Sequence, residues 1–266
     1  MEQFKVPFGI SSISISIADN KKEEKFSELK QLLYSRALYL DSLLNEHDTA
    51  SATYSLNSSG TGMPVSVSSE YLDYLENNLE LSSNSNGLFS SFENMEGDAT
   101  PSPSRYYEID KKGKKVTKTK EIYFKGNTLL DAFVIEEIAK LLEKEKINNF
   151  LVFTETCILA RGKDEWQVEI KEPINDEPLT IPMRDRSFCL VVSGNTQAER
   201  LTPFTHISED HKNLAASSEH KDLITAKYLA FVALKLLTAD QLHSLATQWE
   251  SEITVYYPEA HYVFGS

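Results

Sequence analysis

Several features that would assign a protein to a class are missing from this sequence of 266 residues. No apolar run approaches the roughly 18 residues that a membrane-spanning helix needs. The N-terminal stretch MEQFKVPFG lacks the basic and apolar segments of a signal peptide, and it has no cysteine for lipid attachment. We therefore expect a cytoplasmic protein with no membrane partner, unless a leader has been removed from the chain.

Positive charge is scarce as well: 27 lysines and arginines stand against 40 acidic residues, and the net charge is -13. A nucleic-acid-binding protein needs a basic face, and only the run KKGKKVTKTK at 111–120 offers one. Its position between strand-like segments is typical of a solvated hairpin turn, with contact to an anionic ligand or partner as the alternative. The sequence therefore predicts no nucleic-acid partner.

Cysteine is almost absent, since Cys157 and Cys189 are the only two. Both lie in apolar, strand-like runs, which is typical of buried free thiols in a reducing compartment. A disulfide or a metal pair is the alternative. Phosphate-binding and hydrolase signatures are missing too, because the sequence contains no G-x-x-x-x-G-K-[ST], no G-x-G-x-x-G and no G-x-S-x-G.

What is present is a mixture of two hydrophobic periods. Alternating apolar residues predict strands, and apolar residues spaced by three and four predict helices. The segment ITAKYLAFVALKLL at 224–237 is apolar nearly all round, so we expect a central buried helix there. Antiparallel hairpins mixed with helices favour the α+β class. The other predicted helices cover 22–46, a segment capped by Ser68 or Ser69, 128–145 and 239–248. The predicted strands cover 4–18 with a bend at Pro7, 105–110, 116–124, a hairpin within 150–170, 187–193, 252–257 and 260–264. Loops are predicted at 47–66, 90–104 and 195–221.

Several segments follow one another in an order that resembles a known family. SATYSLN at 51–57 is similar to an S-E-I-x-x-x-N motif, VVSGN at 191–195 to T-S-G, THISED at 205–210 to H-I-I-D-P, and TAKYLAFVAL at 225–234 to A-D-A-L-A-T-A-L. The stretch NSNGLFSSF at 84–92 looks like x-S-x-x-T-x-G-x-F-D, and the hairpin at 150–170 looks like L-V-N-x-G-G-D-I-x-A-x-G. Together these motifs resemble the ApbE-like FAD:protein FMN transferases over nearly the whole chain.

The resemblance implies a fold and an activity. The fold is an ApbE-like α+β fold in which helices pack outside mixed or antiparallel sheets. We expect a single domain over residues 1–266, with two lobes and a mobile loop near 90–104 as the variant of that organisation. The family's enzymes transfer FMN from FAD to a threonine hydroxyl of a target flavoprotein, use a divalent metal such as Mg²⁺, and release AMP.

The motifs that would carry the metal chemistry are altered. By alignment, Lys227 and Phe231 stand where the family has an aspartate and a threonine of its Mg²⁺ site. An ammonium group repels a cation and a phenyl ring offers it no oxygen ligand. The pair Glu155-Thr156 replaces two glycines that would let the backbone approach a ligand closely. We therefore predict that Mg²⁺ is not bound and assign no metal ligands.

Other motif residues survive. Ser193 and Gly194 keep an S-G pair, Asn57 keeps an asparagine, Gly87 keeps the glycine of G-x-F, and His206 keeps the histidine. The resemblance makes His206 a candidate general base, against the alternative of a loop histidine. It makes Ser193, Gly194, Asn57 and Gly87 candidate cofactor-binding residues. A zinc site formed by His206, Glu209, His211 and His220 is a further alternative.

Lys227 and Glu155 complete the set of candidate cofactor-binding residues. The ammonium of Lys227 either replaces the metal beside a pyrophosphate or pairs with an acid, and Glu155 and Asp131 are the candidate partners. The Lys227–Glu155 pair is the specific prediction, because both residues fall where the family's site converges.

The sequence thus predicts a motif-degenerate member of this family without metal-dependent transferase activity. FAD or another flavin nucleotide is the expected ligand, bound weakly, and a protein partner is the expected alternative. The competing hypothesis is an active FMN transferase in which Asp131, Glu155, Glu209 or Asp210 holds the metal. A binding protein that shares only the fold is the third class, because fold does not fix function.

Overall fold

The structure is a computed structural model that describes residues 1–9, 11–19, 23–85, 87–94, 100, 102–171, 178–192, 215–236, 238–257 and 260–265. These residues form two compact units: the first contains those at 1–39 and from 131 onwards, and the second contains those at 40–130. The prediction of a single domain stays a prediction. No helix in the described ranges combines the length and apolarity needed to cross a bilayer.

The α+β class predicted from the sequence is confirmed. Within the described residues the strands are β1 (Glu2–Phe8), β2 (Ser11–Ile17), β3 (Pro64–Ser66), β4 (Phe92–Glu93), β5 (Tyr107–Asp110), β6 (Lys115–Lys118), β7 (Tyr123–Phe124), β8 (Phe150–Phe153), β9 (Cys157–Arg161), β10 (Trp166–Lys171), β11 (Pro178–Met183), β12 (Ser187–Val192), β13 (Ala215–His220), β14 (Glu252–Tyr257) and β15 (Ala260–Phe264). The helices are α1 (Glu23–Leu44), α2 (Ala52–Ser58), α3 (Ser69–Asn84), α4 (Leu130–Lys144), α5 (Leu223–Ala233) and α6 (Ala239–Gln248), with a 3₁₀ turn at Pro103–Tyr106.

An eight-stranded sheet forms the first unit, in the order β1-β2-β8-β9-β12-β13-β14-β15. Every pairing in it is antiparallel. Alternation explains why β2 belongs to it: Ile13, Ile15 and Ile17 are each at most 1% exposed, and alternate residues of a strand share one face. The prediction of one bent strand over 4–18 is wrong, because β1 and β2 pair as a hairpin that turns at Gly9, where φ is +53°.

Helix α5 lies against β12 and β13, and it confirms the predicted central buried helix. Its residues are buried nearly all round, because a helix without a polar face can only be stable when both faces are covered. The hairpin of β10 and β11 belongs to an apolar cluster that contains Trp166 and Val168 of the hairpin and Phe188 and Leu190 of the sheet.

Two predictions about pairing in the first unit are wrong. Strand β10 does not pair with β9 to complete the expected hairpin within 150–170; β8 pairs with β9, and β10 pairs with β11. The predicted loop 195–221 contains strand β13, which lies between β12 and β14. Residues 195–214 of that loop lie outside the described residues.

The second unit contains a three-stranded sheet in the order β3-β6-β5 and a two-stranded sheet of β4 and β7. The predicted N-cap of α3 is confirmed at Ser68, whose Oγ accepts a hydrogen bond of 3.1 Å from the backbone N–H of Tyr71. The predicted loop 47–66 is wrong in part, because it contains α2 and β3. Helix α2 begins after Ser51, whose side chain accepts from the N–H of Tyr54.

Candidate functional site

The candidate site is built around a lysine on the buried helix α5. Lys227 is 2% exposed, and its ammonium donates a hydrogen bond to Oδ1 of Asp131, in the first turn of α4. Burying a lysine at this depth without a partner would cost several kcal/mol. The Lys227–Asp131 ion pair is therefore the feature that allows a charged residue inside the apolar layer.

Asp131 accepts hydrogen bonds on both carboxylate oxygens. Besides Lys227, Oδ1 accepts from the backbone N–H of Ala132 at 2.8 Å. Oδ2 accepts from Oγ1 of Thr156 at 3.1 Å and from Sγ of Cys157 at 3.4 Å. A carboxylate has about four lone-pair directions, and four donors surround this one. Asp131 thus has no oxygen free for a further ligand.

Charge and burial oppose each other at this pair. Burial raises the pKa of Asp131, but the Lys227 ammonium and the donors around the carboxylate outweigh it and hold the pKa below its usual value. Burial likewise lowers the pKa of Lys227, but the Asp131 carboxylate outweighs it and holds the pKa above its usual value. Both groups are therefore charged at neutral pH, and their charges compensate one another.

Two carboxylates from different elements hold the start of α5. The N-cap Asp222 accepts from the N–H of Thr225 at 2.7 Å. Glu136 of α4 accepts from the N–H of Leu223 at 2.6 Å and of Ile224 at 3.1 Å. Burial, followed by the nearby charge of Asp222, raises the pKa of Glu136 to about 7. These contacts tie α5 to α4 near the Lys227–Asp131 pair.

The turn between β8 and β9 brings Thr156 and Cys157 to Asp131. Oγ1 of Thr154 accepts from the N–H of Cys157 at 3.1 Å, and the N–H of Thr154 donates to the carbonyl of Cys157 at 2.8 Å. Glu155, at the tip of this turn, is exposed. The turn is thus closed by side-chain and backbone bonds of its own residues.

Comparison with known proteins decides the family. The model of the ApbE family matches residues 10–210. The chain belongs to the ApbE family. The resemblance noted in the sequence is therefore confirmed.

Solved structures of the ApbE family share the fold. Flavin transferase ApbE from Vibrio cholerae is 13% identical, with a TM-score of 0.72 over 100% of this chain and 96% of that one. The apo form of flavinyl transferase ApbE from Pseudomonas stutzeri is 15% identical, with a TM-score of 0.74 over 100% and 94%. The ApbE protein of Thermotoga maritima is 12% identical, with a TM-score of 0.78 over 99% and 96%. No curated protein matches the chain.

One prediction about the ApbE motifs is wrong. Lys227 does not pair with Glu155: its ammonium bonds to Asp131, the other candidate partner, and Glu155 lies exposed in the turn. The reason is local geometry. Asp131 lies in the first turn of α4, where burial makes a partner necessary. Glu155 lies in an exposed turn, where water can solvate its carboxylate.

In the second unit, both the nitrogen and the oxygen of the Asn57 side-chain amide form hydrogen bonds with the backbone of Phe124. Its Nδ2 donates to the carbonyl of Phe124 at 2.8 Å, and its Oδ1 accepts from the N–H of Phe124 at 2.8 Å. Its backbone carbonyl accepts from the buried ammonium of Lys118 at 2.9 Å. Gly87 has φ of +86°, a conformation that favours glycine. A role for Asn57 or Gly87 in cofactor binding stays a prediction.

The other candidates named from the sequence, Ser193, Gly194 and His206, lie outside the described residues, as do Glu209, Asp210 and His211. The sequence left a pairing of Cys157 and Cys189 open as an alternative, and the two residues face each other on β9 and β12. Sequence reasoning missed Glu136 at the start of α5. That contact has no sequence signature, because it joins residues that are distant along the chain.

Proposed function

We propose that this protein is a degenerate, FMN-transferase-like member of the ApbE family that does not carry out metal-dependent transfer. The observation that supports the proposal is the buried Lys227–Asp131 pair. Lys227 occupies the position at which the family motif has an aspartate. Flavin transferases are among the structures that share the fold, and they suggest a flavin nucleotide as the ligand.

A divalent cation does not fit the residues at this position. Mg²⁺ needs oxygen ligands with free lone pairs, and the four donors around Asp131 use the oxygens of that carboxylate. A cation would also meet the ammonium of Lys227 at close range. Among the described residues, no group of three or more His, Cys, Asp or Glu side chains is arranged to hold a metal ion.

What remains of the function is weak binding of FAD or another flavin nucleotide, or binding of a protein partner. Ser193, Gly194 and His206 remain in this proposal as surviving motif residues, together with Asn57 and Gly87. Glu155 opposes tight nucleotide binding, because an exposed carboxylate replaces a glycine of the family motif and repels phosphate groups. Phosphoryl transfer depends on neutralising phosphate charge, and this site adds a negative charge instead.

Calorimetric titration with FAD, in Mg²⁺ and again in EDTA, tests the proposal. We expect weak binding whose dissociation constant is the same in both buffers, since the site holds no metal. Micromolar binding that tightens with Mg²⁺ would overturn the proposal. No binding at millimolar FAD would reject the nucleotide as ligand and leave a protein partner.

The competing hypothesis of an active transferase has its own assay. The protein is incubated with FAD, Mg²⁺ and a threonine-containing flavoprotein acceptor, and released AMP and flavinylated acceptor are quantified. We expect neither product above the level of a heat-denatured sample. Stoichiometric flavinylation would establish an active transferase and overturn the proposal.

A further inference from the structure

The two cysteines of the chain lie side by side in the first unit. Cys157 of β9 is the register partner of Cys189 of β12, and their Sγ atoms are 2.6 Å apart. Both are free thiols and both are 0% exposed. Since the sequence contains only two cysteines, each has a single intramolecular partner.

The register of the two strands suits a covalent bond between these residues. The N–H of Leu190 donates to the carbonyl of Thr156 at 2.8 Å, and that of Ala160 donates to the carbonyl of Arg186 at 2.9 Å. Hydrogen-bonded and non-hydrogen-bonded pairs alternate along antiparallel strands, so Cys157 and Cys189 form a non-hydrogen-bonded pair. The Cα atoms of such pairs are about 4.5 Å apart, within the range of roughly 4.4 to 6.8 Å that disulfides span.

The thiols are also connected to the ion pair of the candidate site. The single S–H of Cys157 donates to Oδ2 of Asp131 at 3.4 Å. The dithiol form thus supplies one of the four hydrogen bonds that Asp131 accepts, and a disulfide would remove it.

We propose that Cys157 and Cys189 form a dithiol–disulfide site whose oxidant is a small-molecule disulfide. In the exchange, one S–S bond of the small molecule breaks and one S–S bond forms between Cys157 and Cys189. The two cysteine sulfurs are oxidised, the two sulfurs of the small molecule are reduced, and the two thiol protons pass to the two thiols released. The proposal stands independently of the ligand proposed above.

Burial decides how the exchange has to be measured. The apolar surroundings raise the pKa of the Cys157 thiol, and exchange requires a thiolate. Oxidation of the folded protein is therefore slow, and equilibrium is reached by refolding from denaturant. The probe is a set of glutathione redox buffers, all containing EDTA. They differ in the ratio of the squared concentration of reduced glutathione to the concentration of glutathione disulfide. Free thiols are then blocked with iodoacetamide and counted by mass spectrometry.

We expect the disulfide of the folded protein to be reduced only at ratios on the order of 100-fold more reducing than those that reduce it in denaturant. The reason is the stabilisation that native disulfides usually provide. Since neither measurement requires a variant, a folding defect cannot obscure the result. Equal midpoints with and without denaturant, or two alkylated thiols in the folded protein at every ratio, would overturn the proposal.

Single variants provide the control. Cys157→Ala and Cys189→Ala each retain one thiol, and refolding in the same buffers should yield only the glutathione adduct or the free thiol. The wild-type product should instead be two hydrogens lighter than the dithiol and carry no adduct. A wild-type product that is a glutathione adduct or a covalent dimer would contradict an intramolecular site.

Discussion

Removing one charge of the Lys227–Asp131 pair should destabilise the first unit strongly. In Asp131→Asn, the ammonium of Lys227 stays 97–98% buried without its counter-ion. In Lys227→Met, the carboxylate of Asp131 keeps its bonds from Ala132, Thr156 and Cys157, and its side chain is 16% exposed. Breaking a buried pair costs roughly 3–5 kcal/mol. We expect Asp131→Asn at the upper end of this range and Lys227→Met at the lower end.

Urea denaturation followed by tryptophan fluorescence measures the stability of the first unit. The only two tryptophans, Trp166 and Trp249, belong to the first unit, and the ring of Trp249 contacts that of Tyr228 on α5. Thermal midpoints should fall by roughly 2–4 °C for each kcal/mol lost. Lys144→Met, at an exposed position near the end of α4, is the matched control and should stay within about 0.5 kcal/mol of the wild type.

The double variant distinguishes a buried ion pair from two independent contacts. Lys227→Met combined with Asp131→Asn removes both charges and should return to within about 1 kcal/mol of the wild type, because neutral replacements of a buried pair are often tolerated. If both single variants cost less than about 1 kcal/mol, the pair is not the buried feature described here. If the double variant loses the sum of the two single effects, the charges are not coupled.

Two further predictions concern Glu136 and Asn57. The folded pKa of Glu136, about 7, lies above its ordinary value of 4.5, so the folded state binds a proton more tightly than the unfolded state. Protonated Glu136 therefore adds up to about 3 kcal/mol to the free energy of unfolding. This stabilisation is complete below pH 4.5 and is lost as the pH rises to 7. In Glu136→Gln, the free energy of unfolding measured in urea should depend less on pH across this window. A pH dependence equal to that of the wild type would refute the raised pKa of Glu136. Asn57→Ala should expose the Phe124 amide to hydrogen exchange and cost about 1–3 kcal/mol for each backbone group left unpaired. Unchanged protection with weakened FAD binding would instead indicate a ligand-binding asparagine.

Local patterns were sufficient for the elements with a strong hydrophobic period. The nearly all-apolar stretch of α5, the helix at 239–248 and the strands β14 and β15 were predicted within a few residues. Each carries its signal within one segment. Strand β13 has the polar sequence AASSEH and becomes a strand only because β12 and β14 flank it. Helix α2 is similarly polar and depends on its Ser51 cap. Their structure comes from partners elsewhere in the chain, so no local pattern announced them.

The same distinction applies to the candidate site. The substitution of lysine for aspartate at 227 is visible in the motif, and it predicted a changed metal position. The sequence pointed to Glu155 as the partner of Lys227, and this was wrong, because Asp131 and Glu155 are both acids near the same motifs and only burial separates them. The contact between Cys157 and Cys189 depends on the register of two strands, and one shift in register would move one cysteine to the opposite face.

The ion pair also favours one of the two roles that the sequence allowed for Lys227. A lysine that replaces Mg²⁺ must present an uncompensated positive charge to phosphate oxygens. Here the charge of Lys227 is compensated by Asp131, and the side chain is 2% exposed. A pyrophosphate would have to break the pair and leave the Asp131 carboxylate facing its own negative charge. The second role, a lysine held by an acid inside the helix layer, requires no such rearrangement. We therefore expect any flavin nucleotide that binds this protein to obtain its phosphate contacts from other residues.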